Sequence, residues 1–335
     1  MRASSKIVAL LALAILVQTV NAEWVRQRSA SLAWFRDVAF VSETKGWIVG
    51  SDGVMLSTTD GGKVWKAEPR FTTDTFREIH FTDENTGWLL CERNMFNRGQ
   101  KALSYLRKTT DGGKTWEPIE FEDAGRERIV RLLFNNLGTA TAFGEGGVFY
   151  KLQDDGRTWK KSLSPIRFLL LGGAFGSGPS GAIAGAGGTV LFTRDNGLTW
   201  EPATVIGRSD ARFNAVHFVG ERLGWAVGAQ GSIIAATGGG RLWREQDSGV
   251  DADLNDVFFT SNSDGWAIGD GGTIIRTRNG GSQWSLVNSH VKHKLERIVF
   301  AGRRGWAVGY GGTILSYTDA PASDVGGKPT IRPRN

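Results

Sequence analysis

The chain has 335 residues, a formal net charge of +6 and 40% hydrophobic residues, so it is long enough to bury a core without covalent staples. Its single cysteine excludes an internal disulfide. The mild positive charge argues against nucleic acid as a partner, because nucleic-acid binding requires a concentrated basic surface.

The first segment has the pattern of a secretory signal. Two basic residues, Arg2 and Lys6, precede an apolar run over 7–17, and the small residues at 20–22 match a cleavage site. The run is too short to span a membrane comfortably. We therefore expect residues 1–22 to be a signal peptide and the mature protein to be exported, either to the periplasm or out of the cell.

A short motif recurs along the chain and sets its organisation. It reads Thr-Thr-Asp-Gly-Gly-Lys-Thr-Trp over 109–116, with near copies over 58–65 and 193–200. Asp-Gly and Gly-Gly supply the positive φ angles that tight turns need. A second motif, Gly-Trp followed by apolar residues, runs in step with the first. A short apolar run precedes each unit, and seven such runs occur, at 38–40, 79–81, 132–134, 168–171, 216–218, 257–259 and 298–300.

Each unit holds four short strand candidates, which in unit one lie at 35–40, 47–50, 54–57 and from Trp65 onward. They are rich in β-branched and aromatic residues and are bounded by turn residues. No stretch of the mature chain shows a sustained helical period. Seven units of four antiparallel strands predict an all-β fold, a seven-bladed β-propeller. The repeated Asp should then cap its own turn, and the repeated Trp should pack between blades.

The seventh unit lacks a sequence for its outermost strand. It reaches Thr318 and Asp319 with no Gly-Gly-x-x-Trp after them, whereas Trp24 precedes the first unit with no turn before it. We expect the N-terminal strand at Trp24 to complete the last blade, which closes the ring without an open sheet edge. The propeller then spans 23–320, and the segment 321–335, which is rich in Pro, Gly and basic residues, is predicted to be a disordered tail.

Unit two contains an insertion. Trp88 and Trp116 are 28 positions apart, against 18 for Trp47 and Trp65 in unit one. The additional residues fall within 91–104. Loops on a rigid scaffold often carry function, but simple tolerance of an insertion explains the length as well, so both interpretations stay open.

Arginine recurs near the start of the inner strand, which in a propeller lines the central channel. One group holds such places in units one, two, three and seven: Arg36, Arg77, Arg131 and Arg297. A second group lies close to the corresponding positions: Arg128, Arg167 and Arg212. Converging guanidinium groups bind carboxylates or phosphates bidentately, so these seven are candidate partner-binding residues at one mouth of the channel. The alternative is that they are surface charges paired with nearby acids: Asp37, Glu78, Asp256 and Glu296.

No sequence pattern predicts a metal, a cofactor or a catalytic nucleophile. His80 and His217 hold equivalent places on inner strands, which predicts core or channel packing. His290 and His293 share a loop with no third ligand in view. Cys91 is expected to be a buried apolar residue.

The Asp-Gly-Gly-x-x-Trp units resemble the Asp-box, or bacterial neuraminidase repeat, a folding motif that is a weak guide to activity. The full unit, clearest over 254–284, is similar to the photosystem II stability/assembly factor family, and the similarity extends from Glu23 to about Asp319. The resemblance implies a non-enzymatic propeller that binds assembling reaction-centre polypeptides on the lumenal side through an arginine patch. The candidates for that patch are Arg36, Arg77, Arg131 and Arg297.

Three features depart from this family. No lipoprotein cysteine follows the signal, and Gly238 and Asn279 replace the Asp-box acid in units five and six. With the resemblance, the expected function is that of an exported monomeric scaffold that docks a client protein or peptide, such as a subunit of a membrane complex. In a photosynthetic organism its compartment would be the thylakoid lumen.

An Asp-box glycoside hydrolase, or a sialidase-like glycan-binding protein, is the alternative function. Sialidases usually have six blades, whereas this chain has seven units. A glycosidase needs two carboxylates facing each other, about 5–10 Å apart. The candidates follow the second strands of their units: Asp52, Glu92, Glu145 and Asp270. A purely structural envelope module is a third possibility.

Overall fold

The computed structural model of the protein describes residues 23–318 except 95, 97, 98, 100, 101, 136, 163, 208 and 209. The predicted signal peptide over 1–22 and the predicted tail over 321–335 lie outside the described residues. Within the described ranges, no helix is both long enough and apolar enough to cross a bilayer.

The described part of the chain forms short strands, which are, in order, β1 (Trp24–Arg26), β2 (Phe35–Phe40), β3 (Gly46–Gly50), β4 (Met55–Thr58), β5 (Lys66–Ala67), β6 (Thr75–Phe81), β7 (Gly87–Glu92), β8 (Ser104–Thr109), β9 (Glu117–Ile119), β10 (Ile129–Phe134), β11 (Ala140–Gly144), β12 (Phe149–Leu152), β13 (Trp159–Ser162), β14 (Leu170–Phe175), β15 (Gly181–Gly185), β16 (Val190–Thr193), β17 (Glu201–Pro202), β18 (Thr204–Ile206), β19 (Phe213–Val219), β20 (Leu223–Gly228), β21 (Ile233–Ala236), β22 (Leu242–Gln246), β23 (Leu254–Phe259), β24 (Gly265–Gly269), β25 (Ile274–Thr277), β26 (Ser285–Val287), β27 (Leu295–Ala301), β28 (Arg304–Gly309) and β29 (Thr313–Thr318). Short 3-10 turns lie between the second and third strands of five units, at Ser51–Gly53, Glu145–Gly147, Ala229–Gly231, Asp270–Gly272 and Tyr310–Gly312.

These strands form seven sheets that are the blades of a propeller. Blade 1 is β2 to β5, blade 2 is β6 to β9, and the later units follow the same antiparallel order. The inner strands contact one another in a closed ring, β2, β6, β10, β14, β19, β23, β27 and back to β2. The predicted seven-bladed β-propeller with four antiparallel strands per blade is confirmed.

The N-terminal strand closes the ring, as the sequence predicts. In β1, Trp24, Val25 and Arg26 pair with Tyr317, Ser316 and Leu315 of β29, so blade 7 consists of β27, β28, β29 and β1. The Trp24 side chain is buried and packs edge-on against Trp266 of blade 6, with ring centroids 5.7 Å apart. The first strand of the described chain therefore joins the last two blades.

Two details differ from the sequence expectation. The inner strand of blade 4 is Leu170–Phe175, which begins later than the predicted run at 168–171. It includes the Gly-rich stretch that follows the leucines, which the prediction left out. In addition, β18 (Thr204–Ile206) pairs parallel with β22, which gives blade 5 a fifth strand. The linker that leaves blade 4 thus covers part of the outer edge of blade 5.

The repeated Asp caps its own turn. The Asp111 carboxylate accepts hydrogen bonds from the Thr115 hydroxyl (2.6 Å) and the Thr109 hydroxyl (2.8 Å). It also accepts bonds from the backbone N–H groups of Lys114 and Thr115, both at 2.9 Å. These bonds, that of the Thr115 hydroxyl first, hold the pKa of Asp111 far below its ordinary value.

The repeated Trp packs between blades. Trp47 of blade 1 stacks on Phe81 of blade 2, with ring centroids 4.1 Å apart, and Trp225 of blade 5 stacks on Phe259 of blade 6 at 3.6 Å. In each pair the Trp lies on the second strand of one blade and the Phe lies at the end of the next inner strand. The residues that define the repeat therefore stabilise the blades, as predicted.

Trp24→Ala should lower the free energy of unfolding by about 3–5 kcal/mol, because it removes a buried indole from the contact between blades 6 and 7. Urea unfolding followed by circular dichroism measures the change. Val25→Ala is the matched control: Val25 is the next residue of β1 and is 58% exposed, so its loss should change stability little. Equal effects of both substitutions would contradict the closure by Trp24.

Gly172→Ala should destabilise the protein by about 1–3 kcal/mol, because a Cβ there would lie 2.5 Å from the Ala215 Cα and 2.7 Å from the Asn214 carbonyl oxygen. Both contacts are with the backbone of β19, which cannot move aside as a side chain can. Gly238→Ala is the control, since a Cβ at Gly238 meets nothing within 4 Å. Thermal unfolding compares the two, and an unchanged Gly172→Ala protein would refute the close approach of blades 4 and 5.

Candidate functional site

All seven inner strands carry a β-bulge at the same place. In β2, for example, Phe35 pairs with Gly50 and Asp37 pairs with Val49, so Arg36 is the additional residue. The same shift occurs in the other inner strands. A bulge breaks the two-residue alternation of a strand. As a result, two successive residues of each blade line the channel.

The first of these residues forms an upper row around one mouth of the channel: Arg36, Arg77, Val130, Leu171, Asn214, Asn255 and Glu296. The second forms a middle row one step deeper: Asp37, Glu78, Arg131, Gly172, Ala215, Asp256 and Arg297. The predicted arginines therefore occupy two levels. Arg36 and Arg77 belong to the upper row, whereas Arg131 and Arg297 lie one level below and reach both pockets of the channel.

The upper mouth is a pocket of about 310 Å³. Five of the seven predicted arginines line it: Arg36, Arg77, Arg131, Arg212 and Arg297. Lys294, which the sequence analysis did not select, adds a sixth cation. Val130, Leu169 and Leu171 of blades 3 and 4 form an apolar wall in the same pocket. The pocket thus combines converging cations with an apolar side.

Arg128 and Arg167 are placed differently. Arg128 is partly exposed in the loop before β10 and forms ion pairs with Glu92 at 3.1 Å and Glu145 at 3.1 Å. Arg167 is exposed in the loop before β14, and it is not among the residues that line the pocket. The structure brings Arg128 to the rim of the mouth through Glu92, which also pairs with Arg77.

Several of the arginines also have acidic partners, as the alternative interpretation expects. Arg36 pairs with Glu296 at 3.3 Å, and Arg77 pairs with Glu92 at 2.5 Å. At the middle row the Arg297 Nε lies 3.5 Å from an oxygen of Asp37. Convergence and pairing are therefore both present. Each of these three guanidinium groups keeps further donors beyond its one acidic neighbour.

Three donors at the upper mouth have no acceptor among the described residues. They are the Trp34 Nε1, the Arg36 Nε and the Arg77 Nε, and all three are buried atoms of residues that line the pocket. The Arg36 guanidinium stacks on the Trp34 ring, with its Cζ 3.4 Å from the ring centroid. Burial lowers the pKa of Arg36 from its ordinary value. Because buried donors normally have partners, this cluster is suited to a ligand that supplies oxygen acceptors.

The carboxylates of the middle row connect neighbouring blades. Each accepts a hydrogen bond from a backbone N–H of the next inner strand: Asp37 from Ile79 (2.9 Å), Glu78 from Leu132 (2.8 Å) and Asp256 from Ile298 (2.9 Å). In the upper row, Asn214 and Asn255 use their amide groups in the same way, donating to the carbonyls of Leu254 and Leu295. These bonds satisfy backbone groups where two blades meet.

Burial in the channel raises the pKa of all three carboxyl groups. For Asp256 it raises the pKa to about 7, against the opposing effects of the Ile298 N–H and the charge of Arg131. Burial also raises the pKa of Asp37 and of Glu78, and the Asp37 charge raises that of Glu78 further. Desolvation disfavours the ionised form of a carboxyl group, which is the direction seen for all three.

The channel continues below the upper mouth as a pocket of about 460 Å³, which the middle row also lines. His80 and His217 lie on its wall, as predicted from their equivalent positions. The His80 ring stacks on Phe134, and the His217 ring packs at a tilt against Phe258. Burial lowers the pKa of both histidines to about 4. Among the described residues, no group of three His, Cys, Asp or Glu side chains is arranged to hold a metal ion.

Three of the four candidate hydrolase carboxylates are engaged by cations at or near the upper mouth. Glu92 contacts Arg77 and Arg128, and Glu145 contacts Arg128. Asp270 lies 3.4 Å from Lys294 and accepts a bond from Asn255. Asp52 has a φ of 56° within a 3-10 turn, so its turn explains its place. Cys91 is fully buried in β7, as expected.

A family model described as photosynthesis system II assembly factor YCF48 matches residues 17–166 and 236–324, which is more than half of the chain. The chain belongs to this family. Two curated relatives are similar to it. The photosystem II assembly protein Ycf48 of Synechococcus sp. (strain JA-3-3Ab) is 25% identical over 195 residues, 57% of this chain and 55% of the relative. The chloroplastic photosystem II stability/assembly factor HCF136 of Arabidopsis thaliana is 25% identical over 235 residues, 64% of this chain and 55% of the relative.

The fold agrees with a solved member of the family. The structure described as YCF48 bound to D1 peptide superposes with a TM-score of 0.71 at 20% identity, covering 89% of this chain and 95% of that one. At that identity the likeness shows the fold alone. The chain spans about half the length of the two curated relatives.

The sequence of this YCF48-family chain was not seen to predict the β-bulge of the inner strands. For that reason the two rows of channel residues were not predicted either. A signal was present, because two successive polar residues interrupt the alternation of several inner strands, as in Arg36-Asp37 and Arg77-Glu78. Trp34 and Lys294 were missed because they lie in loops just before an inner strand, where no periodic pattern marks them. Their place in the pocket depends on the paths of those loops.

Asp256→Asn should flatten the dependence of stability on pH. The folded pKa of Asp256, about 7, lies above the unfolded value near 4, so its contribution to stability is present at low pH and is lost as pH rises through 7. The variant lacks this loss, so relative to wild type its unfolding free energy should rise by about 1.4 kcal/mol between pH 6 and pH 8.5.

Urea unfolding at a series of pH values measures this difference. Asp83→Asn is the control, because Asp83 is a turn acid whose pKa its hydrogen bonds with Thr86 and Asn85 lower. Its effect should be constant above pH 6. Parallel pH profiles for wild type and Asp256→Asn would contradict the raised pKa.

Proposed function

We propose that this protein is a non-enzymatic, exported scaffold that docks a client polypeptide at the upper mouth of its channel. The observation that carries the proposal is the cluster of unsatisfied donors on Trp34, Arg36 and Arg77, inside a pocket lined by further cations. A carboxylate of the client would accept these donors in charge-assisted hydrogen bonds, which are stronger than neutral ones.

Two further features favour a polypeptide over a small inorganic anion. The apolar wall of Val130, Leu169 and Leu171 offers a surface for an apolar side chain next to the bound carboxylate. A solved relative is described as bound to a D1 peptide, and the curated relatives are named as photosystem II assembly factors. The client we propose is therefore a terminus or loop of a membrane-complex subunit of the photosystem II type, bound by a single copy of the chain.

We propose that the protein is not an enzyme because the candidate catalytic carboxylates form ion pairs with basic side chains. Glu92 and Glu145 are held by arginines and Asp270 by Lys294, so they are committed to charge pairing. A glycosidase needs one carboxyl group free to donate a proton and one free to attack or to activate water.

We also propose that residues 1–22 direct export, that 23–320 is the binding unit and that 321–335 is a tail.

Replacing Arg36 and Arg77 together by Ala should weaken binding of a synthetic D1 peptide by about 100-fold or more, since each charge-assisted contact contributes about 1.5–3 kcal/mol. Isothermal titration calorimetry measures the affinity. Arg157→Ala is the control, because Arg157 is 66% exposed and pairs with Glu117 away from the channel. Equal affinity of the double variant and the wild type would refute docking at the arginines.

The client itself is tested by cross-linking in the native envelope, purification and mass spectrometry. We would compare wild type with a variant in which Arg36, Arg77, Arg131 and Arg297 are all changed to Ala. The proposal predicts a membrane-complex subunit that is recovered with wild type and Arg157→Ala and lost with the fourfold variant. The same recovery from all three proteins would exclude the upper mouth as the docking site.

A further inference from the structure

The middle row places Asp37 and Glu78 one residue below the cations of the upper mouth, and it places a third carboxyl group, Asp256, one residue below Asn255. Arg36 and Asp37 are successive residues that both face the channel because of the bulge, and the same holds for Arg77 and Glu78. An anion held by Arg36 and Arg77 would therefore lie one residue above Asp37 and Glu78. Two negative charges that are only one residue apart along a strand repel each other strongly when little water lies between them.

Charged groups of the neighbouring inner strands complete this environment. Asp37 faces Arg297 and Glu78, and Glu78 faces Asp37 and Arg131. Asp256 is influenced by Arg131 and Asp37, while Asn214, Asn255, Glu296 and His217 line the channel on the strands beside it. When every group is ionised, the middle row carries three negative and two positive charges. The positive potential that an anion would feel at the upper mouth is therefore reduced from below.

We propose that binding of an anionic group at the upper mouth is coupled to protonation of Asp37, Glu78 and Asp256, so that acidification strengthens the site. This inference rests on the proposed function, because it concerns the same pocket. Protonation of a carboxyl group removes a negative charge below the ligand and frees the guanidinium groups that faced it. By linkage, a bound anion must in turn favour uptake of protons by these groups.

Two carboxyl groups of the middle row change their charge near neutral pH. Burial raises the pKa of Asp256 to about 7 and raises the pKa of Glu78 as well, so both change charge near neutrality rather than near pH 4. His80 and His217 do not compete, because their pKa values are lowered to about 4. A peptide carboxylate ionises well below pH 6 and stays charged throughout.

The probe is acetyl-Ala-Leu-Ala-Leu with a free C-terminal carboxylate, whose single ionisable group does not titrate between pH 6 and pH 8.5. Calorimetry in two buffers of different ionisation enthalpy gives the affinity and the protons taken up. We expect the peptide to bind wild type about 10-fold more tightly at pH 6 than at pH 8.5, with uptake of roughly half a proton at intermediate pH.

Glu78→Gln combined with Asp256→Asn should remove most of this dependence. Both substitutions keep an oxygen that can accept the Leu132 and Ile298 N–H bonds, and Asp256→Asn alone serves if the double variant does not fold. The affinity ratio between the two pH values should fall to about 2-fold, with the affinity at pH 8.5 approaching that of wild type at pH 6.

Two controls locate the effect. Glu145→Gln removes a carboxylate that pairs with Arg128 at the rim, and His293→Asn removes an imidazole whose ring lies 6.2 Å from that of Tyr310. Both variants should keep the wild-type ratio. Loss of the ratio in His293→Asn, or its survival in the variant lacking Glu78 and Asp256, would overturn the coupling.

The outcomes also separate this inference from the proposed function. If binding requires Arg36 and Arg77 but does not change between pH 6 and pH 8.5, docking stands and the coupling is wrong. If the peptide binds at neither pH, or binds without need of the arginines, both the coupling and docking at this mouth are refuted.

Discussion

The β-bulge shared by the seven inner strands is the constraint on which the rest of the channel depends. A regular strand would direct every second side chain into the channel, so that Arg36 and Asp37 would point to opposite faces. The bulge directs both inward and creates two rows of channel residues instead of one. Next to this bulge, the Trp34 carbonyl oxygen lies within 2.3 Å of where a Cβ of Gly50 would be, which explains the second glycine of the Gly-Trp motif in blade 1.

The middle row shows why so many arginines are tolerated in one place. Clustered guanidinium groups repel one another, and the buried carboxyl groups below them offset part of that repulsion. These same carboxyl groups accept backbone N–H bonds from the next blade, as Asp37 does from Ile79 and Asp256 from Ile298. Such groups are costly to bury and to leave without partners. Removing them would therefore disturb the contact between blades as well as the charge of the channel, which couples the structural and the proposed binding roles of one set of side chains.

Most of the fold was predictable from the sequence because most of the blades repeat the same turn chemistry. Asp111 and its neighbours specify a turn within eight residues, and Trp47 finds its partner Phe81 at the same offset in the next unit. Ring closure was predictable because the last unit lacks its outermost strand and an additional strand at Trp24 precedes the first unit. The candidate site was predictable only in part. The arginines lie near strand starts and were found, but their separation into two levels depends on the bulge. Trp34 and Lys294 lie in loops, and no local sequence pattern predicts that they line the channel. The fifth strand of blade 5 arises from a linker path that propensity does not encode.

The channel is also asymmetric, and this asymmetry bears on how a ligand would lie in it. Blades 7, 1 and 2 contribute Arg297, Arg36 and Arg77, whereas blade 4 contributes Leu171 and Gly172. Gly172 lets the inner strands of blades 4 and 5 approach too closely for any side chain, so no charged residue can occupy that position without moving the backbone. The family model leaves this region, 167–235, unmatched, while Arg36, Arg77, Arg131 and Arg297 all lie within the matched ranges. The carboxylate of the proposed client would therefore bind near blades 7, 1 and 2. The rest of the client segment would extend across the apolar wall toward blade 4.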